Sequence, residues 1–429
     1  MTVKTLILSS GKCSWGKCFA CGWGQLEAPF DMEACKRKVQ AADIGRTDEL
    51  KIFASGSFLD NKQFSPEFRK WFADYVREKG VKKLTIESRP EFVTDDSLKD
   101  FTGLELNVAI GLECADNTVL KNYGKGFTKE DFAKAAELLH ERGHKVRTYL
   151  MVNMPFSKPE NLDPSVEFAD KYSDSIVLIN TFPHSKAKLF DLWISGKWKP
   201  ISEDEFNKLV QKYKHKPHIE TDAQNYMFLP KFPNEQKKLL KGATSEILNH
   251  PFFNVWQDYF ERFYKPPADK KFLLFLPCSA RKPYSRSQTH MEIFRVLKQT
   301  GAAKQMHSVV VSTPGVIPME FNGHYPFSAY DWPEWEETPE IRKEYTEVTM
   351  KRVFAYLKAH KNHYKHVYCY LKPDSDTYKA VSQACEELGI ALKNLLDVDT
   401  YEQIKAEKNP VARVEALASL RRNLADLKL

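Results

Sequence analysis

The stretch "SSGKCSWGKCFACGWGQ" (residues 9–25) places three of the chain's eight cysteines in one short loop. Cys13, Cys18 and Cys21 are spaced C-x4-C-x2-C, and the next cysteine, Cys35, comes fourteen residues after the last of them. A structural zinc site has four closed ligands, and an iron–sulfur cluster is usually held by four cysteines. The triplet therefore indicates either a cluster with one iron left open for another ligand or a zinc ion whose fourth ligand is distant in sequence.

Composition limits the class of protein. The chain has 429 residues, 42% of them hydrophobic, which is enough for two or three globular domains. No stretch approaches the roughly 18 apolar residues of a membrane span, and "MTVKTLILSS" (residues 1–10) is too short for a cleaved signal. We expect a cytoplasmic protein with reduced thiols. The formal net charge of +7 permits a polyanionic partner without requiring one.

Residues 1–260 alternate between short apolar runs and helical patterns. The runs are "TLILSS", "LKIFASG", "KKLTIESR", "ELNVAIGLE", "KVRTYLMVNM" and "DSIVLINTF". Continuous apolar runs favour buried parallel strands, so this half is predicted to be an α/β barrel or open sheet. Its clearest helix is "FTKEDFAKAAELLHERG" (127–143), with Thr128 as the N-cap, Asp131 three residues on and Gly143 as the stop.

A second α/β domain is predicted over residues 270–400. The segment "RFYKPPADKK" (262–271), with paired prolines and mixed charge, indicates the seam between the domains. Strands are predicted in "FLLFLPCSA" (272–280), "HSVVVST" (307–313) and "KHVYCYL" (365–371). Residues 401–429 are polar and helical, and we expect them to form a C-terminal tail.

Polar residues follow the second, third and fourth predicted strands. Because the carboxyl ends of parallel strands share one face, these residues should lie beside the cysteine loop. They are Ser55, Gly56 and Ser57 after the second strand, Glu87 and Arg89 after the third, and Glu113 after the fourth. Two interpretations remain open: a ligand site, or an ion-pair network of the three charged residues at the barrel mouth.

The second half has its own chemically rich segment, "LPCSARKPYSRSQTH" (276–290), at a predicted strand-to-helix turn. Cations mixed with hydroxyl groups at such a turn suit a phosphate or a nucleoside. The candidate residues are Cys278, Ser279, Arg281, Lys282, Ser285, Arg286 and His290. The neighbouring cations favour a nucleophilic Cys278, and the alternative is a solvated loop around a buried thiol. Cys35, Cys114, Cys369 and Cys385 are predicted to be small core residues.

The first half resembles the archaeosine-biosynthesis radical S-adenosylmethionine (SAM) proteins, a branch related to the Elongator catalytic subunit. The motifs that carry the resemblance are "CSWGKCFACGW", "SGSFLD", "ESRPEF", "GLECAD", "GKGFTKEDFAKAAELL" and "YLMVNMPF", within about residues 1–250. The resemblance implies a partial (β/α)6 barrel in which Cys13, Cys18 and Cys21 hold a [4Fe–4S] cluster and SAM chelates the fourth iron. Residues 55–57, Glu87, Arg89 and Glu113 would then bind SAM. The common family spacing is C-x3-C-x2-C, so this loop has one additional residue.

The resemblance also implies a reaction. Archaeosine is a 7-formamidino-7-deazaguanosine in the D-loop of archaeal tRNA, and the radical enzyme completes it by cleaving a C–N bond of a lysine adduct. The expected partner is therefore tRNA. A second interpretation keeps the chemistry but makes deazaguanine-modified DNA the substrate.

The second half is similar to a domain of archaeosine synthase, which attaches lysine to the nitrile of 7-cyano-7-deazaguanine in tRNA. The similar segments are "FLLFLPCSARKPYSRSQTH", "VVVSTPGVIPMEF" and "YPFSAYDWP". This domain resembles the uracil-DNA-glycosylase fold, a three-layer α/β sandwich. For that reaction we hypothesise from the residues themselves that Cys278 adds to the nitrile to give a thioimidate, which lysine then displaces, and that Asp331 is a candidate partner for the lysine ammonium. Free lysine or archaeosine synthase would then be a partner; alternatively, this domain only presents nucleic acid to the first half.

Overall fold

The computed structural model describes residues 2–25, 29–45, 47–184, 186–223 and 229–427. The chain divides into two compact units, Met1–Tyr226 and Met227–Leu429. The boundary lies earlier than the seam expected at residues 262–271. The reason is a helix, α10 (Pro251–Arg262), whose fully buried Trp256 packs on Phe321 and Phe327 of the second unit.

The first unit contains one parallel sheet that curls into a half-barrel, as predicted. Its strands in the described residues are β1 (Val3–Ile7), β2 (Glu49–Phe53), β3 (Lys83–Glu87), β4 (Glu105–Glu113), β5 (Lys145–Val152), β6 (Ser175–Asn180) and β7 (Ile219–Asp222). Each strand pairs in parallel with the next one in sequence. The last strand, "IETD", was not predicted because it contains a single apolar residue.

Helices connect these strands and cover one face of the sheet. They are α1 (Met32–Ala41), α2 (Pro66–Glu78), α3 (Asp95–Leu98), α4 (Asn117–Tyr123), α5 (Lys129–Glu141), α6 (Leu162–Tyr172), α7 (Lys188–Ile194) and α8 (Glu203–Val210). The main core lies between strands and helices and includes Ile52, Ile86 and Val108. Alternate strand residues point to the opposite face, which is the lumen of the half-barrel. That face carries polar groups such as Thr85, whose hydroxyl donates to Glu49 Oε1 at 2.7 Å.

Helix α5 forms for the reasons predicted from its sequence. The Thr128 hydroxyl accepts the Asp131 N–H at 3.2 Å, and the Asp131 carboxylate accepts the Thr128 N–H at 2.8 Å. This reciprocal cap satisfies two donors that a helix N-terminus otherwise leaves unpaired. Gly143 follows the helix with φ +74°, a conformation that favours glycine. The predicted helix is therefore confirmed.

The second unit is built on a mixed sheet, which confirms the α/β class predicted for it. In the described residues its strand order is β11 (Gly315–Pro318), β10 (Met306–Ser312), β9 (Phe272–Leu276), β13 (His366–Cys369) and β14 (Leu392–Asn394). Only the β10–β11 pair in this sheet is antiparallel. A separate parallel pair joins β8 (Leu240–Lys241) to β12 (Tyr330–Asp331).

The other helices of this unit include the segment expected to be a tail. They are α9 (Ser245–Leu248), α11 (Gln288–Gln299), α12 (Pro339–His360), α13 (Asp376–Glu387), α14 (Val398–Ile404) and α15 (Val414–Ala425). Helix α15 packs against α11 and buries Leu420 and Leu424. Residues 401–427 are thus part of the second unit's body, since their apolar face is covered by it.

The four cysteines predicted to be core residues, Cys35, Cys114, Cys369 and Cys385, are all buried. Within the described ranges, none of the helices combines the length and the hydropathy that crossing a membrane requires.

Candidate functional site

The cysteine loop follows β1 and is drawn together by Gly24. The Cys13 N–H donates to the Gly24 carbonyl at 3.3 Å, and the Gly24 N–H donates to Cys21 Sγ at 3.3 Å. A β-carbon added at Gly24 would lie 3.1 Å from Cys13 Cβ and 3.5 Å from Cys21 Sγ. Glycine therefore lets these two cysteines lie side by side.

The additional residue between the first two cysteines is accommodated by a tight turn. Gly16 has φ +59°, and its carbonyl accepts a hydrogen bond from Gln25 Nε2 at 2.5 Å. The indole N–H of Trp15 donates to the Gly124 carbonyl at 2.7 Å, and a side chain at Gly126 would overlap the indole ring. Trp15, which lies between the first two cysteines, thus anchors the loop to the segment that follows α4.

The Ser55–Gly56–Ser57 segment lies beside this loop and is held by Gln63. The Gln63 amide accepts the Ser57 N–H at 2.7 Å and donates to the Ser10 hydroxyl at 3.2 Å. The same hydroxyl accepts the Ser55 N–H at 3.2 Å. A side chain at Gly56 would overlap the Gln63 amide, so glycine is needed for this close approach.

Arg89 connects the end of β3 to the cysteine loop. Its Nη1 lies 4.0 Å from Cys18 Sγ, its Nε donates to Glu91 Oε1 at 2.5 Å, and its guanidinium stacks 5.0 Å from the Trp15 ring. Its Nη2 is buried and has no hydrogen-bond partner among the described residues. Buried donors are normally paired, so this nitrogen is available to an acceptor that binds at the loop.

Glu113 pairs with a lysine that sequence reasoning missed. Lys125 Nζ lies 2.6 Å from Glu113 Oε1, and the two side chains are only 9% and 13% exposed. Glu113 sits at a bulge of β4 with φ +68°. Burial alone would lower the pKa of Lys125, but Glu113 and the Cys18 thiolate outweigh burial and raise it. The sequence feature that could have identified Lys125 is its position between two glycines, Gly124 and Gly126, in the motif "GKGF".

In the described residues, Glu87, Arg89 and Glu113 do not form an ion-pair network with one another, which was one of the two interpretations left open by the sequence. Arg89 pairs with Glu91 and Glu113 with Lys125, while Glu87 makes no ion pair among the described residues. Glu87 accepts one long hydrogen bond, from the Ala54 N–H at 3.4 Å. Burial, opposed by that bond and assisted by the charge of Glu113, raises the pKa of Glu87 to about 7.

The donor set of the loop fits an iron–sulfur cluster. Burial raises the pKa of Cys18 and Cys21, while Lys125 and Arg89 lower that of Cys18 and the Gly24 N–H lowers that of Cys21. Soft thiolates bind iron in such clusters, and the nearby cations offset their negative charge. No three His, Cys, Asp or Glu side chains in the described ranges are arranged around one metal-ion position.

The second unit gathers some of its predicted residues and separates others. Cys278 Sγ lies 3.8 Å from the Tyr284 hydroxyl and 3.9 Å from the Tyr330 hydroxyl, and Lys282 Nζ lies 4.1 Å above the Tyr330 ring. His290 is fully buried against Tyr284, with the ring centres 5.1 Å apart.

The remaining predicted residues of this unit lie around that cluster. Arg281, Ser285 and Arg286 are exposed, and the Ser285 N–H donates to Asn322 Oδ1 at 3.0 Å. The Ser279 hydroxyl donates to the Arg281 carbonyl at 3.2 Å. Asp331 lies 3.9 Å from Lys241 Nζ, so a cation of the chain itself already faces it.

Family models match both halves of the chain. Residues 13–169 match the radical SAM superfamily, and residues 253–423 match a domain of unknown function, DUF5591. The first match begins at Cys13 and spans β2 to α6. A [4Fe–4S] cluster and SAM, the predicted cofactors, are those of this superfamily.

Individual proteins give a consistent comparison. The chain is 35% identical over 162 residues to "Archaeosine synthase subunit beta" of Thermococcus kodakarensis, a match covering 35% of this chain and 50% of that protein. It is 33% identical over 142 residues to "Archaeosine synthase subunit alpha" of Thermoplasma acidophilum, covering 32% of this chain and 26% of that protein. The chain thus spans about half the length of the first relative and a quarter of the second.

Among solved structures, the chain is similar to a queuine lyase from Clostridium spiroforme bound to SAM and queuine. The identity is 20%, the TM-score is 0.41, and the alignment covers 51% of this chain and 90% of that one.

The buried Glu113–Lys125 pair generates a first prediction. Lys125→Met should lower the free energy of unfolding by about 3–5 kcal/mol, because it leaves a buried carboxylate without its partner. The double variant Lys125→Met/Glu113→Gln should recover most of that loss. Urea unfolding measures both, and the exposed Lys134→Met provides a matched control. Equal losses in the single and double variants would contradict a coupled pair.

The raised pKa of Glu87 generates a second prediction. In unfolded chain a glutamate ionises near pH 4.3, whereas Glu87 in the fold stays protonated until about pH 7. Its contribution to stability is therefore present below pH 4.3 and is lost as the pH rises towards 7. Relative to Glu87→Gln, the wild type should lose up to about 3 kcal/mol between pH 4.5 and 8.

Urea unfolding across this pH range measures the difference, and the exposed Glu137→Gln is the control. If the wild type and Glu87→Gln keep a constant difference from pH 4.5 to 8, Glu87 ionises normally in the fold.

Proposed function

We propose that this chain, which carries a radical SAM domain followed by a DUF5591 domain, is a radical SAM lyase of tRNA modification. In this proposal it cleaves a C–N bond in a lysine adduct of a 7-deazaguanine base and leaves a formamidine on the base. The observation that carries the proposal is the three-cysteine loop, with Arg89 and Lys125 beside it, at the carboxyl end of a parallel half-barrel. The similarity to a protein named archaeosine synthase subunit beta supports the substrate class.

Three cysteines account for three irons of the cluster. Cys13, Cys18 and Cys21 would each bind one iron and leave the fourth for SAM. When bound and reduced, the cluster supplies the electron that cleaves SAM. The chain's own part is to hold the three thiolates together through Gly24 and to offset their charge with Arg89 and Lys125.

Arg89 is the residue best placed to bind the SAM carboxylate. Its Nη2 is a buried donor without a partner in the described residues, and its Nη1 lies 4.0 Å from Cys18 Sγ. A charge-assisted hydrogen bond to a carboxylate would satisfy that donor. Its stacking on Trp15 and Phe127 fixes the guanidinium in place.

We assign different roles to Glu87 and Glu113 in the SAM site. Glu113 is already neutralised by Lys125, so we assign the pair to shaping the barrel mouth. Glu87 has no cationic partner among the described residues and accepts only one long hydrogen bond. It is therefore the carboxyl freer to accept hydrogen bonds from SAM, together with the backbone of residues 55–57.

The second unit would bind the nucleic acid. Arg281 and Arg286 are exposed, and neither of them nor Lys282 forms an ion pair among the described residues. Such cations bind phosphates independently of base sequence. We therefore expect tRNA as the partner, in the cytoplasm; DNA could bind to the same cations.

Free lysine and archaeosine synthase are the other expected partners. Asp331 would be available to a lysine ammonium only if its contact with Lys241 were broken.

The cluster assignment has a direct test. Anaerobically reconstituted protein should hold about four iron and four sulfide per chain. Replacing Cys13, Cys18 and Cys21 with alanine should abolish the cluster's absorbance and the cleavage of SAM. Cys35→Ala, which changes a buried cysteine outside the loop, should retain both. A triple variant that still binds iron and cleaves SAM would refute the radical assignment.

Nucleoside mass spectrometry tests the substrate. With the gene deleted, tRNA should accumulate the lysine adduct and lose the formamidine base, while the nucleosides of genomic DNA stay unchanged. Accumulation in DNA instead would favour the second substrate.

The phosphate contacts of the second unit can be tested by salt dependence. Replacing Arg281, Lys282 and Arg286 with alanine should weaken tRNA binding and reduce the slope of log K against log[salt] by about 0.7–0.9 for each lost contact. SAM cleavage without tRNA should persist, since these residues lie in the other unit.

A control variant carries the same charge change elsewhere in the second unit. Lys343, Lys351 and Lys361 are exposed and can be replaced together with alanine. Equal salt slopes for the two triple variants would mean that the 281–286 segment is not the nucleic-acid contact.

A further inference from the structure

Two buried charged residues near the end of β2 have no part in the proposed function. Asp60 lies in the turn of residues 57–64 and is 2% exposed, and Arg69 lies on α2 and is 1% exposed. Within the described ranges neither side chain forms an ion pair, and both are held by hydrogen bonds instead. Charged side chains are almost never fully buried unless they are paired. Their hydrogen bonds therefore indicate why these two are buried.

Arg69 fixes the shape of the 57–64 turn. Its Nη1 donates to the Phe64 carbonyl at 2.9 Å and to the Leu59 carbonyl at 3.4 Å. Its Nη2 donates to Asn61 Oδ1 at 2.6 Å. All three acceptors belong to the turn, and a guanidinium presents its donors in a rigid fork. One buried side chain thus holds both halves of the turn in a single arrangement.

Asp60 connects this turn to the cysteine loop. Its Oδ2 accepts a hydrogen bond from the hydroxyl of Ser14, the residue that follows Cys13, and its Oδ1 accepts the Lys62 N–H at 2.9 Å. Hydrogen bonds that carboxylates accept are among the stronger ones in proteins. The C-x4-C segment is therefore anchored at Ser14 from the β2 side, and at Trp15 from the α4 side.

The same turn contacts the other groups proposed to bind SAM. The Ser57 hydroxyl accepts the Arg89 N–H at 3.0 Å. Gln63 accepts the Ser57 N–H and donates to the hydroxyl of Ser10, which follows β1. One short turn thus joins the segments that follow β1, β2 and β3, and these segments carry the cysteines, residues 55–57 and Arg89.

The longer cysteine spacing gives this anchoring a physical purpose. An additional residue between Cys13 and Cys18 increases the number of conformations that the free loop can adopt, and ordering each residue has an entropic cost. The hydrogen bond from Ser14 to Asp60 restricts the segment before any ligand binds. Preorganisation of this kind strengthens binding, because less entropy is lost on association.

We propose that Asp60 is a positioning residue of the SAM site, which through its hydrogen bond to Ser14 sets the cysteine loop at the distance that SAM must span. Arg69 keeps Asp60 in place by holding the turn. The identity of the ligand rests on the proposed function, whereas the contact itself does not. SAM would bind the cluster, residues 55–57 and Arg89 at once, so a loop displaced by even about 1 Å would bind it poorly.

A matched pair of variants tests the hydrogen bond. Ser14→Thr keeps the hydroxyl, whereas Ser14→Val has nearly the same shape without it, and Ser14 is exposed, so folding is not at risk. We expect Ser14→Val to bind SAM roughly 10-fold more weakly than Ser14→Thr in cluster-loaded protein, with equal iron content. Equilibrium dialysis measures the affinity. The change that SAM causes in the electron paramagnetic resonance spectrum of the reduced cluster should persist in Ser14→Thr and weaken in Ser14→Val.

A double-mutant cycle tests whether Asp60 acts through Ser14. Asp60→Ala should weaken SAM binding by a similar factor, and Ser14→Val/Asp60→Ala should bind SAM no more weakly than Asp60→Ala alone, because both changes remove one contact. Asp163→Ala is the control. Asp163 lies in the same unit and also accepts a hydroxyl, that of Tyr213, so its loss should reduce stability and leave SAM affinity unchanged.

Hydrogen exchange tests the contact without any cofactor. In the cluster-free full chain, the amides of residues 12–18 should exchange roughly 10-fold faster in Ser14→Val than in Ser14→Thr, since the loop opens more often. The amides of α5 should exchange equally in both variants. Neither iron nor SAM enters this measurement.

Equal SAM affinities of Ser14→Thr and Ser14→Val would overturn the positioning role, as would additive effects of Ser14→Val and Asp60→Ala. If the wild type bound neither iron nor SAM, the proposed function would fail instead. The exchange rates would then still decide whether Asp60 holds the loop, and equal rates in the two Ser14 variants would overturn that as well.

Discussion

The first unit depends on the constraint that all strands of a parallel sheet end at one edge. The sheet therefore brings residues that are far apart in sequence to the same edge, from the cysteine loop after β1 to Glu113 at the end of β4. The loop itself is held by short-range contacts, above all the Gly24 N–H on Cys21 and the close approach of Cys13. Contacts within the loop therefore hold the three cysteines together, whereas the arrangement of the strands in the sheet supplies the charged residues around them.

Placing thiolates and carboxylates together has an electrostatic cost that the surrounding residues offset. Lys125 is buried between Glu113 and Cys18, and Arg89 reaches Cys18 from β3 while stacking on Trp15. Each cation therefore interacts favourably both with a neighbouring carboxylate and with the Cys18 sulfur. Arg89 nevertheless keeps one buried donor unpaired among the described residues, and we propose that the SAM carboxylate would satisfy it.

The sequence predicted those parts of the molecule that local chemistry determines. The cap and stop of α5, the four core cysteines and the positions of the strand ends follow from residue type and spacing, and the structure has them as expected. Lys125 could not be found this way, because its role arises only when the turn after α4 meets the end of β4. Strand β7 was missed because Ile219 is its single apolar and buried residue, while the other three residues are polar and exposed although they pair with β6. The domain boundary was misplaced because the proline pair at residues 266–267 marks a loop within the second unit.

In the proposed site, the three-cysteine loop leaves one iron of a [4Fe–4S] cluster open to SAM. Electron–nuclear double resonance on the reduced protein, with SAM labelled with ¹⁷O in its carboxylate, tests this most directly. We expect a strong coupling between the label and the cluster, and its disappearance when SAM is withdrawn. A cluster that shows no such coupling at saturating SAM, because a protein ligand occupies the fourth iron, would contradict it.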